Sequence, residues 1–365
     1  MAPAPTRPRE RLGSFLQQVW SGRGLLSTLM LPLAWIFGAV TAIRRWSYVR
    51  GWLASQRLPV PVVVVGNLVA GGAGKTPTVI AVLRLLRSHG YSPGVVSRGY
   101  GRADDSIRLV GADAEACEVG DEPLLIRRRT GRPVVVGRDR PEAARALLRA
   151  HPDVDVIVSD DGLQHLALQR DVEVIVFDDR GAGNGRLLPA GPLRERVPLR
   201  LQRQQVVLYN ADVPSTALPG HLVQRKLAGA VALREWWQGE PPSRSALESL
   251  RGRPVLAVAG LARPRRFFAM LRDIGIDAEQ RALDDHHDFA VLPWPHDTGD
   301  VIVTEKDAVK LAPSRAIEGR VWVAALDFEP AATFADALLS RLPPPRTRPP
   351  AAPRPAPLPH GNPPA

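Results

Sequence analysis

Cysteine is nearly missing from this chain. Cys117 stands alone among 365 residues, so no intrachain disulfide framework and no cysteine-rich metal centre can form. That usage fits a reducing compartment. Acidic residues are in deficit, 37 against 48 lysines and arginines, which leaves a net charge of +11. Such a balance favours an anionic partner: a membrane surface, a phosphorylated substrate or nucleic acid. Clusters of basic and aromatic residues are missing outside one apolar segment, which argues against nucleic acid. Internal repeats are absent too. What remains is 45% hydrophobic, ample for the cores of two domains.

Charge disappears altogether between Gly24 and Ile43, a run rich in Leu, Ile, Val, Phe and Trp. Arg7, Arg9, Arg11 and Arg23 precede it; Arg44, Arg45 and Arg50 follow. A cleaved signal peptide would export the phosphate-binding residues described below to a place without ATP. The length suits a membrane span, which Ser27, Thr28, Pro32 and Thr41 weaken. A helix lying in one leaflet, its arginines on anionic headgroups, suits the two-sided charge best. A buried soluble helix is the plain alternative.

Beyond it, Val60–Val65 is a β-branched run of the kind buried on both faces of a parallel sheet. Short apolar runs recur at Gly94–Ser97, Val134–Gly137, Val154–Ser159, Val172–Phe177 and Gln205–Tyr209, separated by helix-like stretches. Strands alternating with helices predict a doubly wound α/β sheet. The pattern loosens around Pro214–Arg225. It resumes with Val255–Ala259, a helix-like Pro264–Ile274, Val301–Thr304, Val321–Leu326 and a helix over Ala331–Arg341. The expected organisation is an N-terminal basic and membrane-associated segment (1–55), a phosphate-loop domain (56–213), a smaller α/β domain (214–342) and a tail (343–365). The tail is mostly Pro, Ala and Arg, a composition that buries no core and is expected to be disordered.

The strongest chemical signal joins that first strand to a glycine-rich loop and a helix: Gly66-Asn67-Leu68-Val69-Ala70-Gly71-Gly72-Ala73-Gly74-Lys75-Thr76-Pro77. Glycines let backbone N–H groups close around phosphate oxygens. Lys75 reaches the β and γ phosphates, and the Thr76 hydroxyl offers a ligand to Mg2+. Val69 through Thr76 form the expected phosphate cradle, although Val69 occupies the place of the usual first glycine. Pro77 suits a first helical turn. Downstream, an apolar strand ends in Asp160-Asp161-Gly162-Leu163-Gln164-His165. A phosphate-loop enzyme needs a carboxylate there for Mg2+ or its waters, whereas Asp-Asp-Gly alone is also an ordinary turn.

Other groups leave alternatives open. Asp121, in Gly120-Asp121-Glu122-Pro123, precedes a helix-like segment and reads first as an N-cap. Asp284-Asp285-His286-His287-Asp288-Phe289 suits a metal site, an Asp–His pair or a polar loop, though the lack of thiolates argues against zinc. Arg186 to Glu195 reads only as a loop. Glu305-Lys306-Asp307 lacks the extra residue of the guanine-reading Asn/Thr-Lys-x-Asp segment, so guanine specificity has no support. An ATPase switch acting without any acceptor is the main rival to a kinase.

Together, in this order, the motifs resemble the tetraacyldisaccharide 4′-kinase family of lipid A biosynthesis, from the apolar segment to about Leu342. The most specific pieces are the phosphate loop, Ser97-Arg98-Gly99-Tyr100, Gly120-Asp121-Glu122-Pro123, Asp160 to His165, Leu187 to Glu195, Asp285-His286-His287 and Thr304-Glu305-Lys306-Asp307. Two departures stand out: Leu163 replaces the family's Phe, and Leu283-Asp284 replaces a frequent Phe-Pro. The resemblance implies transfer of the γ-phosphate of ATP to the 4′-hydroxyl of an acylated disaccharide 1-phosphate, a glycolipid, at the cytoplasmic side of the inner membrane. It makes Asp121 the general base and His286 its partner from the second domain. Thr76, Asp160, Asp161 and Glu195 become candidates for the Mg2+ side. Arg98, Arg140 and Arg194 become phosphate contacts not yet divided between nucleotide and lipid.

Overall fold

The computed structural model describes residues 22–346, apart from 103, 112, 286, 296 and 313–318, together with Leu16, Val19 and Trp20. Ahead of the first strand, the described residues include α1 (Leu25–Leu29) and α2 (Leu31–Val49). There follow β1 (Val62–Gly66), α3 (Lys75–Ser88), β2 (Pro93–Ser97), β3 (Arg108–Leu109), α4 (Ala116–Val119), α5 (Asp121–Thr130), β4 (Val134–Val136), α6 (Arg140–Ala150), β5 (Val156–Asp160), β6 (Val172–Asp178) and β7 (Gln205–Asn210). The second half holds β8 (His221–Ala232), α7 (Leu233–Gln238), α8 (Arg244–Glu248), β9 (Val255–Ala259), α9 (Pro264–Asp273), β10 (Ala278–Ala282), β11 (Asp300–Thr304), α10 (Glu305–Ala308), β12 (Arg320–Pro330) and α11 (Ala332–Leu339).

The strands form one sheet in the order β10-β9-β11-β12-β8-β7-β6-β1-β5-β2-β4-β3. Pairing is parallel except at β3–β4 and β8–β12. β1 shows why: Val63 and Val65 face one hydrophobic cluster while Val62 and Val64 face another, so helices must cover both sides. α3 supplies Val79, Val82, Leu83 and Leu86, each at most 1% exposed. Burying such a side chain stabilises by about 1.5–3 kcal/mol. β1 starts at Val62 rather than Val60 because Pro61 has no N–H for a ladder. The Val62 N–H instead meets the Asp171 carboxylate at 2.8 Å.

The expected boundary at 214 falls between β7 and β8. There the sheet does not stop: Leu208 and Tyr209 pair with His221 and Leu222, and the long β8–β12 ribbon carries it into the second half. Most of the stretch read as a tail lies outside the described residues. Its first residue is docked, with the Tyr91 hydroxyl donating to the Pro343 carbonyl at 2.6 Å.

The N-terminal helices rest on the body through polar contacts. Ser27, 1% exposed, donates to the Ala190 carbonyl at 2.5 Å, and Arg45 pairs with Glu195 at 3.1 Å. The opposite face is apolar and open to solvent: Leu29, Trp35 and Ile36 are 67%, 66% and 62% exposed. Among the described residues no helix is long and apolar enough to cross a membrane.

Candidate active site

The site lies at the carboxyl ends of β1, β5 and β2, where an open parallel sheet gathers ligands. β1 runs into the glycine-rich loop, and Gly74 turns it into α3 with φ of 93°. A β-carbon on Gly74 would stand 2.2 Å from Asn210 Nδ2, which donates to the Ala73 carbonyl at 3.0 Å; only glycine fits. Asn67 braces the loop from inside, fully buried, donating to the carbonyls of Val69 and Gly71. Lys75 Nζ lies 3.3 Å from Asn67 Oδ1 and 3.8 Å from Asp161. Thr76 is buried in the first turn of α3, as the loop reading expects. Arg180, held by Asp178 at 2.8 Å, donates to the Gly72 carbonyl at 3.3 Å and covers the loop from the other side.

The two adjacent aspartates have opposite environments. Asp160 ends β5 at 1% exposure, and burial, then Glu122 and Asp161, push its carboxyl up to about 7. It accepts from the Ser97 hydroxyl at 2.9 Å, and its Oδ1 has no hydrogen-bond partner. Asp161 takes a left-handed φ of 47°, uncommon for any residue but glycine. Burial works against its charge, but Lys75 and Arg194 hold its carboxyl below the usual range. Arg194 donates to Asp161 at 3.1 Å.

A hard oxygen on Thr76 and the unpartnered Asp160 oxygen suit Mg2+, which takes one or two carboxylates and keeps waters and phosphate oxygens for the rest. Asp161 is engaged with two cations, and Glu195 is drawn to Arg45 at the foot of α2. The structure therefore sets Glu195 among contacts of the N-terminal helix, beside Leu166, Leu187 and Arg196.

Asp121 is the first residue of α5, not its cap. Gly120 caps the helix with φ of 91°, pressed against Gly99 and the Tyr100 carbonyl so closely that a β-carbon would meet both at 3.0 Å. Asp121 is 7% exposed and accepts from the Glu122 N–H at 2.9 Å. It shares a depression with Tyr100, Asp288 and Lys310. Lys306 Nζ lies 2.9 Å from Asp285 and 3.8 Å from Glu122. His286 itself lies outside the described residues.

Between the phosphate loop and the second half runs a cleft of about 250 Å³ lined by Gly72, Lys75, Thr76, Glu122, Asp285 and Lys306. Arg263 binds Asp178 and Asp179 across it. Sequence reasoning missed Asn67's bracing, Arg180, Asn210 and Arg263. Asn67 and Lys306 sat within quoted motifs, but Asn210 and Arg263 carry no local pattern, because their partners are over 80 residues distant.

The model of the family described as tetraacyldisaccharide-1-P 4′-kinase matches residues 26–343. A tetraacyldisaccharide 4′-kinase of Methylibium petroleiphilum is 57% identical over 349 residues, 94% of this chain and 98% of that protein. Another, of Leptothrix cholodnii, is 55% identical over 339 residues, 92% of this chain and 97% of that one. Among solved structures, LpxK of Aquifex aeolicus in complex with ATP has a TM-score of 0.73 at 26% identity, covering 87% of this chain and all of that one.

Proposed function

The chain belongs to the tetraacyldisaccharide 4′-kinase family, and on that premise we propose how its residues carry the γ-phosphate of ATP to the 4′-hydroxyl of a tetraacyldisaccharide 1-phosphate. The chain is an ATP-dependent kinase of lipid A biosynthesis. In the proposed reaction the product carries phosphates at both the 1 and 4′ positions, the compound called lipid IVA. Residues 69–76 wrap the nucleotide phosphates, Lys75 facing the β and γ groups. The acceptor hydroxyl gives its proton to the Asp121 carboxylate as its oxygen bonds to the γ-phosphorus, and ADP leaves with the bridging oxygen. Thr76 and Asp160 would hold Mg2+, with Asp161 beside them; the ion's chemistry is to neutralise charge on the transferring group.

One observation carries the Asp121–His286 assignment. Lys306 ties Glu122, next to Asp121 in sequence, to Asp285, next to His286, at 3.8 and 2.9 Å. One half-buried cation thus joins the immediate neighbours of both candidates across the cleft. Because they come from different halves of the sheet, closing the cleft on both substrates would complete the base. The exposed apolar face of α1 and α2 suits an interfacial position at the cytoplasmic side of the inner membrane, where the acceptor's acyl chains are found. The test is a kinetic comparison of Asp121→Asn, His286→Ala and the double variant. If the pair is one unit, the double variant is little worse than the worse single, whereas fully multiplicative losses mean separate roles.

A further inference from the structure

Lys310 stands where the loop of Asp284–Phe289 meets the helix headed by Asp121. Its side chain is 8% exposed, and Nζ donates to the His287 carbonyl at 2.9 Å while lying 3.9 Å from the Asp307 carboxylate. The ammonium also faces the Phe289 ring, 5.5 Å from its centroid. A charge so far withdrawn from water is costly unless it is paired and hydrogen-bonded, so these partners hold the lysine in one place. Asp121 and Asp288 line the same depression as Lys310. Burial lowers the lysine's pKa from its ordinary value, and Asp307 and then Asp121 oppose that fall.

Asp307 anchors the lysine from below the loop. Fully buried, its carboxylate accepts the Gly260 N–H at 3.1 Å and the Thr304 hydroxyl at 2.6 Å. Gly260 in turn packs on the loop: a β-carbon there would stand 3.2 Å from the Asp284 carbonyl and 3.4 Å from the His287 side chain. Phe289, 0% exposed, has a left-handed φ of 53° and meets His287 edge-on at 4.8 Å. A bulky residue keeps that backbone conformation only where its surroundings impose it. Lys306, four residues before Lys310, takes the Asp285 carboxylate at 2.9 Å. The two lysines therefore grip residues 285 and 287, one on each side of 286.

We propose that Lys310 is a positioning residue for phosphoryl transfer: by holding the His287 carbonyl it fixes the loop from the second half of the sheet against Asp121. It acts through other residues, not on the reacting atoms. Lys306 alone ties the loop at one point, about which it could turn; the second tie at His287 removes that freedom. A misplacement of about 1 Å at a reacting pair costs roughly 10²-fold in rate, which is the scale of effect expected here. The assignment rests on the Asp121–His286 reading above.

The test measures turnover of the full chain with ATP and tetraacyldisaccharide 1-phosphate for Lys310→Met, His286→Ala and the two combined. KM for ATP and urea unfolding are followed alongside. Lys310→Met should lower kcat roughly 10²-fold and leave KM for ATP within about twofold. The combined variant should be little worse than the worse single, because a lysine that only places the pair has nothing left to place. Protein lost to poor folding would instead multiply with His286→Ala. Multiplicative losses therefore leave Lys310 a structural role and overturn the assignment, as does an unchanged kcat. Lys310→Met also strands the buried Asp307 carboxylate, so Lys310→Met with Asp307→Asn removes that charge too. This neutral variant should regain stability in urea while kcat stays low, and it carries the same cycle if Lys310→Met does not fold. Recovery of kcat together with stability overturns the assignment. A His286→Ala protein with wild-type kcat strikes the Asp121–His286 reading and this assignment with it; a slow His286→Ala beside an independent Lys310→Met strikes the assignment alone.

Discussion

Lys306 Nζ stands 3.8 Å from the Glu122 carboxylate, a contact that reaches from the short helix after β11 to the helix headed by Asp121. Its ordinary acidity is shifted: burial opposes the charge, but Asp285, Glu122 and Asp121 raise the ammonium above its usual value, so it stays protonated. Replacing it with Met leaves two carboxylates facing each other without their cation. Lys306→Met should lose about 1–3 kcal/mol in urea unfolding, and turnover should fall roughly 10²-fold or more while ATP affinity changes little. Unaltered turnover in a folded variant would detach this cation from the proposed Asp121–His286 pair.

Lys75→Ala removes the positive charge at the mouth of the phosphate loop. Turnover should drop by roughly 10² to 10³ or more, with the circular dichroism spectrum retained. The same change frees Asp161 from one of its two cations. A variant that turns over near the wild-type rate would take the loop out of the mechanism.

His165 gives a pH signature. Burial, then Arg140, push its imidazole down to about 4, against 6.5 ordinarily. The folded state therefore resists a proton that the unfolded chain accepts. The resulting stability is fully present above pH 6.5 and is lost as pH falls toward 4. In thermal melts across that window, His165→Gln should lose Tm less steeply than the wild type on acidification. Parallel curves would mean that the ring titrates as an ordinary histidine.

Trp35 and Ile36 sit on the open face of α2, 66% and 62% exposed. Changing both to Asp should move the protein from the membrane to the soluble fraction, because each apolar side chain withdrawn from the interface forfeits about 1.5–3 kcal/mol. ATP binding should be unchanged, since the proposed phosphate cradle lies in the loop of Gly71–Thr76 and not on α1 or α2. Continued sedimentation with membranes would place the association elsewhere.

How far the sequence revealed this arrangement depends on the locality of each feature. β1, α3, β5 and the loop of Gly71–Thr76 were legible because an apolar run, a glycine cluster and a helix start lie side by side. β8 and β10 were not. β8 alternates exposed Gln224 with buried Val223 in a two-stranded ribbon, and β10 is an edge strand reading Ala-Glu-Gln-Arg-Ala. β10 has no apolar run to announce it, and the first half of β8, His221–Lys226, is largely polar. Asp121 was read first as a helix cap, whereas Gly120 fills that role and leaves the carboxylate one residue further in. The contact between Lys306 and Glu122 spans the two halves of the sheet, and no spacing rule reaches that far.

The most direct test of the central claim incubates the full chain with γ-labelled ATP, Mg2+ and tetraacyldisaccharide 1-phosphate, comparing wild type with Asp121→Asn. The amide keeps the size of the carboxylate and cannot accept the proton. The wild type should form the bisphosphorylated lipid. The variant should be slower by roughly 10² to 10⁴ at the same ATP affinity. Equal rates in the two proteins, or ATP turnover as fast without lipid as with it, would contradict the account.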